Sequence, residues 1–196
     1  MKKVLSLLFL GVGLSANAQV GFYPSIRAGA NFSKYTSVKA AFKPGIYVGF
    51  FGELKLGNLY SLQPEISYSS QGANNVRTYV CNVEHPNGGE IVNVDYEVNY
   101  VSVALVHKFR FDEDKVNFHF GGLLDFEVGS CSDAYSRKSS QVVDIGFLLG
   151  VGYKITDKLG VEFRYKQGIV DQLNTVLDGT TNANMTLQAG VTYSFR

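Results

Sequence analysis

A two-residue repeat of apolar and polar side chains runs through most of the chain after residue 19, and it constrains the fold more than any other feature. Successive side chains of a β-strand point to opposite faces, so this period predicts strands and not helices. In the second segment Ile46, Val48 and Phe50 share one face, and Tyr47 and Gly49 take the other. We predict eight strands, at residues 22–33, 44–56, 59–70, 92–111, 115–128, 142–155, 159–169 and 184–196.

Short and long connections alternate between the predicted strands. The short ones lie at residues 57–58, 112–114 and 156–158, and the long ones lie at residues 34–43, 71–91, 129–141 and 170–183. This alternation, with both chain ends on the short side, is typical of outer-membrane barrels, whose short turns face the periplasm. The pattern therefore predicts an all-β protein, an eight-stranded antiparallel up-and-down transmembrane β-barrel.

Two of the predicted strands depart from regular alternation. Pro64 lies inside the third strand, where it cannot donate a ladder hydrogen bond. In the fourth strand the apolar residues change phase near Tyr100, which indicates either a β-bulge or a hairpin that projects beyond the membrane. Residues 71–91 would then extend the strands as a hairpin whose edge binds a partner by strand addition, and a mobile polar loop is the alternative.

Alternation by itself does not say which face meets lipid, because a soluble lipocalin-like barrel would bury its apolar face. The apolar-face positions of the eight segments hold no Asp, Glu, Lys or Arg, although these residues make up 18% of the chain. A lipid-facing charge near the bilayer midplane costs about 2–4 kcal/mol. The opposite face collects many of the glycines, which suit the narrow interior of an eight-stranded barrel. Both features favour lipid on the outside.

The polar face of the predicted strands also carries charged residues of both signs, seven cations and six anions. Isolated charges are costly in a low-dielectric interior, whereas paired and hydrogen-bonded ones are tolerated. We therefore expect an interior salt-bridge network that fills the lumen. Its predicted members are Arg27, Glu53, Lys55, Glu65, Lys108, Arg110, Asp125, Glu127, Asp144, Lys154, Glu162, Arg164 and Lys166.

Residues 1–18 have the composition of a secretory signal peptide. Two lysines, Lys2 and Lys3, precede an apolar stretch at residues 4–14, and Ala16 and Ala18 form a small-residue cleavage site. We predict that residues 19–196 form the barrel domain. Export together with a transmembrane barrel predicts an integral protein of the outer membrane.

The two cysteines, Cys81 and Cys131, both fall in connections predicted to face outward. In an oxidising compartment a disulfide between them would tie two loops together and would stabilise the fold by about 2–4 kcal/mol. Two free thiols are the alternative, because the sequence does not fix the separation of their Cα atoms.

The chain after residue 18 resembles the PorT-type outer membrane protein beta-barrel family, also labelled the porin family, and its layout is similar to the small OmpX and OmpA transmembrane barrels. The residues that carry the resemblance are the signal ending at 16–19, the glycine-rich first strand at 26–32, and the stretches 151–154 and 190–196. The resemblance implies an outer-membrane location and insertion by the barrel-assembly machinery. The usual assembly signal ends on an aromatic residue, whereas here Arg196 follows Phe195.

Residues that could carry catalytic chemistry are sparse. His85 lies in a predicted loop, His107 on the apolar face and His119 on the polar face, and none is paired in sequence with a candidate serine nucleophile. We expect a non-enzymatic monomer, without cofactor or metal, that is surrounded by outer-membrane lipid.

The expected barrel acts through surface loops, with an extracellular or envelope protein as partner, or through envelope structure. The net charge of +1 argues against nucleic acid as a partner. Three alternatives stay open at this point. They are a narrow diffusion pore, a lipid-modifying outer-membrane enzyme, and a soluble periplasmic barrel that binds an apolar ligand.

Overall fold

A computed structural model describes residues 21–36, 40–81, 89–111, 115–132, 143–170 and 182–195. These residues form eight strands in one sheet. Their bounds are β1 Gly21–Tyr35, β2 Ala41–Lys55, β3 Tyr60–Cys81, β4 Gly89–Phe111, β5 Val116–Ser132, β6 Val143–Lys154, β7 Leu159–Gly168 and β8 Asn184–Ser194. The predicted signal peptide lies outside the described residues, and the predicted domain boundary at residue 19 stays a prediction.

Each strand pairs antiparallel with the next one along the chain, and β1 pairs with β8 to close the ring. The closing ladder runs from Ser25 opposite Ser194 to Tyr35 opposite Asn184. The predicted fold class is confirmed. Among the described residues no helix is long and apolar enough to cross a membrane.

The two ends of the barrel differ in how the strands are joined. Short connections join β2 to β3, β4 to β5 and β6 to β7, and β1 begins and β8 ends at that same end, which we call the short-turn end. The other four connections lie at the opposite, long-loop end. Arg110 of β4 fixes one of the short turns, because its guanidinium donates to the carbonyl oxygens of Gly57 and Asn58 at 2.7 and 3.1 Å.

The strands β3 and β4 are longer than predicted at the long-loop end. Most of the segment 71–91 is a β-hairpin and not an open loop, with its ladder running to Cys81 opposite Gly89. A bulge interrupts this ladder between Ala73 and Val76. Asn75 in the bulge has φ 55°, a left-handed conformation that Asn tolerates better than most residues, and its N–H donates to Asp95 Oδ1 at 2.7 Å.

The phase change near Tyr100 is not a bulge in β4. Val94, Val98, Tyr100 and Arg110 are all buried, so even-numbered residues of β4 face the interior on both sides of the change. The irregularity lies in β5 instead, because Asn99 is opposite Gly129 whereas Tyr100 is opposite Glu127. Even-numbered residues of β4 therefore point inward along the whole strand, whereas the polarity of the inward and outward faces reverses near Tyr100.

Candidate functional site

The outward and inward faces of the barrel differ sharply in chemistry. Large apolar side chains cover the outside, and Phe147 and Val191, for example, are 40% and 47% exposed. Most of the buried polar and charged side chains point inward. The lumen is therefore the place where charged chemistry is concentrated, and its contents decide whether anything can pass or bind there.

A central ion cluster joins β1, β3 and β7 across the lumen. Glu65 accepts four hydrogen bonds or ion pairs from the guanidinium groups of Arg27 and Arg164, all at 2.9 to 3.0 Å. Glu162 Oε1 lies 3.5 Å from Arg27 Nη1 and 3.4 Å from Arg164 Nε. Two arginines and two glutamates make the cluster neutral, which is the arrangement that a low-dielectric interior tolerates.

Aromatic side chains pack against this central ion cluster. The guanidinium of Arg27 lies 4.1 Å from the centroid of the Phe51 ring, and the Tyr47 hydroxyl donates to Glu162 Oε1 at 3.3 Å. Room for the Tyr47 ring depends on two glycines of neighbouring strands. A Cβ atom would lie 2.8 Å from that ring at Gly29 and 2.3 Å from its hydroxyl oxygen at Gly190.

Three further ion pairs, in two groups, lie above and below the central ion cluster. Toward the short-turn end, Glu53 accepts from Lys108 at 3.1 Å and from Arg110 at 2.7 Å. Toward the long-loop end, Lys166 lies 3.2 Å from Asp125 Oδ2 and donates to Ser102 at 3.4 Å. The lumen thus holds three stacked groups of opposite charges.

Four of the predicted network members lie outside these groups. Lys154 pairs with the exposed Asp157 of the neighbouring turn at 2.9 Å, and the Lys55 ammonium lies 5.5 Å from the Tyr23 ring. Asp144 accepts from the Val170 N–H at 3.1 Å. Glu127 Oε2 is buried and has no hydrogen-bond partner among the described residues.

Sequence reasoning missed an apolar wall of the lumen, formed by Ala104, Val106, Leu123 and Leu148. Ala104 stands opposite Glu65 on the neighbouring strand, so the wall borders the central ion cluster. The sequence feature that could have predicted this wall is the segment 101–106, which is apolar on both faces of the strand except at Ser102. By excluding water, such a wall strengthens the ion pairs beside it.

The long-loop end of the lumen is closed by two further layers. In the first, Gln71 accepts hydrogen bonds from Asn184 and Thr186 and donates to Ser69. The second, which we call the apolar cap, is a cluster of side chains from β1, β3 and β4 and from the residue before β2. Its buried members are Tyr35, Ala73 and Val76, and the partly buried Ala40 and Tyr96 pack against them.

At the short-turn end the lumen opens into a small polar cavity of about 70 Å³, enough for a few water molecules. Arg27, Lys108 and His119 are among its lining residues. His119 is buried, and its Nε2 has no hydrogen-bond partner among the described residues. Arg27 and Glu162 of the central ion cluster are among the residues that line this cavity.

The histidines do not form a catalytic arrangement in the part of the chain that the structure describes. His107 lies on the outer face, where its Nδ1 is 2.8 Å from the Tyr60 hydroxyl. His119 Nδ1 is 3.3 Å from Asn117 Oδ1, so the partner of this ring is an amide and not a serine. His85 lies outside the described residues. The described residues also contain no group of three or more metal-ligating side chains.

The register does not bring the two cysteines together. Cys81 is opposite Gly89 of β4, whereas Cys131 is opposite Glu97 of the same strand. At about 3.3 Å per residue, the eight-residue offset along β4 separates their ladder positions by roughly 26 Å, far beyond the 7 Å limit for a disulfide. A Cys81–Cys131 bond would require a different register and stays a prediction that this structure does not support.

Comparisons with solved structures give the same architecture. Neisserial surface protein A aligns at 17% identity with a TM-score of 0.50, over 91% of this chain and 100% of its own. Ail of Yersinia pestis, solved with the heparin analogue sucrose octasulfate, aligns at 14% identity with a TM-score of 0.50, over 89% and 99%. OprG of Pseudomonas aeruginosa aligns at 9% identity with a TM-score of 0.51, over 90% and 97%. At these identities the likeness shows the fold alone.

Sequence comparison identifies the family. No curated protein sequence matches the chain. Residues 10–174, most of the chain, match the family described as outer membrane protein beta-barrel domain. The predicted localisation is confirmed by this match and by the outer-membrane proteins of Gram-negative bacteria that share the fold. The chain belongs to the outer membrane protein beta-barrel domain family and is an integral protein of the outer membrane.

Proposed function

We propose that the protein is a closed, non-enzymatic barrel that acts at the cell surface through the hairpin formed by the long-loop ends of β3 and β4. The last described β2 partner on β3 is Asn74, and the last described β5 partner on β4 is Tyr96. Beyond them, six residue pairs from Val76–Val94 to Cys81–Gly89 form a two-stranded ribbon. We call this ribbon the distal hairpin.

The shape of the distal hairpin is the observation that carries the proposal. Its two outer edges have no strand partner among the described residues, and the ribbon spans roughly 17–20 Å. Unpaired strand edges present rows of N–H and C=O groups, which a partner's extended segment can bind by strand addition. Short turns face the periplasm in barrels of this class, so the distal hairpin faces the outside of the cell.

The contents of the lumen support the closed state. The three groups of ion pairs, the Gln71 layer and the apolar cap occupy successive levels of an interior that is narrow in any eight-stranded barrel. The ring closes on itself through β1 and β8, so no second chain is needed to complete the sheet, which supports a monomer. The glycine-rich first strand supports the finer assignment to the PorT-type group.

One pair of deletions tests the surface role. In the first, the distal hairpin is removed by joining Asn74 to Asp95 through a two-residue turn. The matched control shortens another long connection by deleting residues 173–179. Both variants are expressed in outer membranes, checked for heat-modifiable gel mobility, and scored for adhesion of the cells to immobilised serum and matrix proteins.

We expect adhesion above the empty-vector level for the full chain, loss of it in the hairpin deletion and retention of it in the control. Increased sensitivity to detergent without any change in adhesion would contradict the surface role and favour a role in envelope structure. Steady single-channel openings of the purified full chain in planar bilayers would contradict the closed lumen. A changed lipid profile on expression of the chain would contradict the absence of catalysis.

A further inference from the structure

An apolar groove of about 440 Å³ lies on the outer surface of β1, β2 and β3, near the short-turn end. Its floor includes Pro24, Gly52 and Pro64, and Phe50 and Ile66 lie at its rim. The groove is continuous with the apolar band that meets the membrane, so its occupant comes from the lipid phase. We call it the lipid-facing groove.

One backbone carbonyl in the floor of the lipid-facing groove, that of Gly52, has no N–H donor opposite it in the β2–β3 ladder. Leu56 N–H donates to Tyr60 O across the β2–β3 ladder, so the backbone groups of Leu56 point toward β3. Backbone direction repeats every two residues along a strand, so the groups of Gly52 also point toward β3. The register between Phe51–Glu65 and Leu54–Leu62 places Pro64 opposite Gly52. Proline has no N–H, so it donates nothing to the Gly52 carbonyl oxygen.

The depth of the Gly52 carbonyl in the membrane determines which kind of lipid can donate a hydrogen bond to it. Gly52 lies three residues from the end of β2, which is about 10 Å along a tilted strand and therefore near the boundary between headgroups and chains. An unpaired backbone carbonyl beside acyl chains is unfavourable, because the chains cannot donate a hydrogen bond to it. Ester-linked glycerophospholipids bring only acceptors to this depth, whereas lipids with an amide N–H or a hydroxyl near the first chain carbons bring donors.

We propose that the lipid-facing groove is a binding site for an acyl lipid that carries an amide N–H or a hydroxyl at the headgroup–chain boundary. The chain of the lipid lies against the outward side chains of Phe50 and Ile66, which are cross-strand neighbours, and its donor binds the Gly52 carbonyl oxygen. Phe22, whose ring lies against Gly52, forms one wall of the site. Pro64 is the residue that creates the selectivity, because it withholds the donor that any other residue would supply.

The absence of tryptophan from the chain allows a direct test. Phe50→Trp places a single fluorescent reporter at the groove, and Phe163→Trp places one at a similar distance from the short-turn end on β7. Each full-length variant is folded into vesicles of palmitoyl-oleoyl phosphatidylcholine that contain one tenth of a bromine-labelled lipid. The labelled lipid is either phosphatidylcholine or sphingomyelin, which share a headgroup and differ in interfacial donors.

We expect sphingomyelin to quench the Phe50→Trp reporter at least twofold more than phosphatidylcholine does, and to quench the Phe163→Trp reporter equally. Adding Pro64→Val, which restores an N–H opposite Gly52, should abolish the preference, whereas adding Pro44→Val on the same face should preserve it. Equal quenching by both lipids at the groove would overturn the proposal. A preference that survives Pro64→Val would also overturn it, because the Gly52 carbonyl would not be the acceptor. Heat-modifiable mobility verifies that every variant is folded.

Discussion

The strand β4 passes through two regions of the molecule whose faces have opposite polarity. From Val101 to Phe109 the outward residues are apolar apart from His107, and the inward ones include Lys108. In the second region, residues 93–99 together with the β3 residues opposite them, the outward residues of β4 are polar or charged, and the inward ones are Val94, Tyr96 and Val98, all buried or partly buried. We call it the distal region. The strand geometry is continuous through both regions. The medium outside the strand, and not the strand geometry, decides whether the outward residues are apolar or polar.

The two regions are stabilised by different forces. Next to water, the apolar cap gains free energy by the hydrophobic effect, as in a soluble protein. Next to lipid, burying an apolar side chain in the lumen gains little, because acyl chains are as apolar as the interior. There the interior is stabilised by ion pairs and hydrogen bonds, because its charged and polar groups find no other partners in the membrane. Substitutions of the same kind should therefore have different effects in the two regions.

The largest effect is expected from Glu65→Gln in the central ion cluster. The substitution leaves Arg27 and Arg164 buried with one carboxylate fewer, and loss of one partner of a buried ion pair costs about 3–5 kcal/mol. The free energy of unfolding is measured by reversible urea titration in lipid vesicles. A loss below 1 kcal/mol would show that water reaches the cluster.

A smaller effect is expected from placing a cation on the outward face of β4. Leu105→Arg faces lipid and should cost about 2–4 kcal/mol in the same titration. Asn93→Arg, at an outward position in the distal region, should change the free energy by less than about 0.5 kcal/mol. Equal costs at the two positions would remove the distinction between the regions.

Removal of two methyl groups should matter in the distal region and not on the lipid face. Val76→Ala in the apolar cap should cost about 1–2 kcal/mol, because Val76 is 1% exposed. The loss should appear as faster hydrogen exchange in the hairpin amides. Val191→Ala, which faces lipid, serves as the control and should leave those exchange rates unchanged.

The smallest effect is expected from Glu97→Gln in the distal region. Glu97 pairs with Lys43 at 3.4 Å, but its side chain is 47% exposed. Exposed ion pairs contribute about 0–1 kcal/mol, and salt screens them. Urea titrations at low and high salt should converge for this variant and the unmodified chain, whereas the loss from Glu65→Gln should persist at high salt.

The period-two alternation was sufficient to predict the number of strands and their order. It could not predict which charges meet, since the height of a residue in the barrel depends on register as well as on face. Lys154 and Asp144, for example, were predicted to join the lumen network, yet they lie outside the three stacked groups of ion pairs. Arg27, Glu65 and Arg164 meet because β1, β3 and β7 bring them to one level.

The parts that alternation missed share a physical cause. Leu123 and Leu148 are apolar residues on a charged face. A pattern that divides strand positions only into an apolar and a polar face treats them as exceptions. The length of the distal hairpin was left open because its strands reverse their polarity, which breaks the pattern without breaking the strand. The offset of Cys81 from Cys131 depends on two ladders at once, which the sequence of neither strand specifies.

The reversal along β4 is tested most directly by spin labels at its outward positions. Single cysteines replace the odd-numbered residues 93 to 109 in a Cys81→Ser, Cys131→Ser background, and the labelled protein is folded into vesicles. Oxygen should relax the labels at 101 to 109 more strongly than a water-soluble nickel complex does, and the order should reverse at 93 to 99. Labels that favour oxygen at all nine positions would contradict the account, because the hairpin would then lie in the membrane.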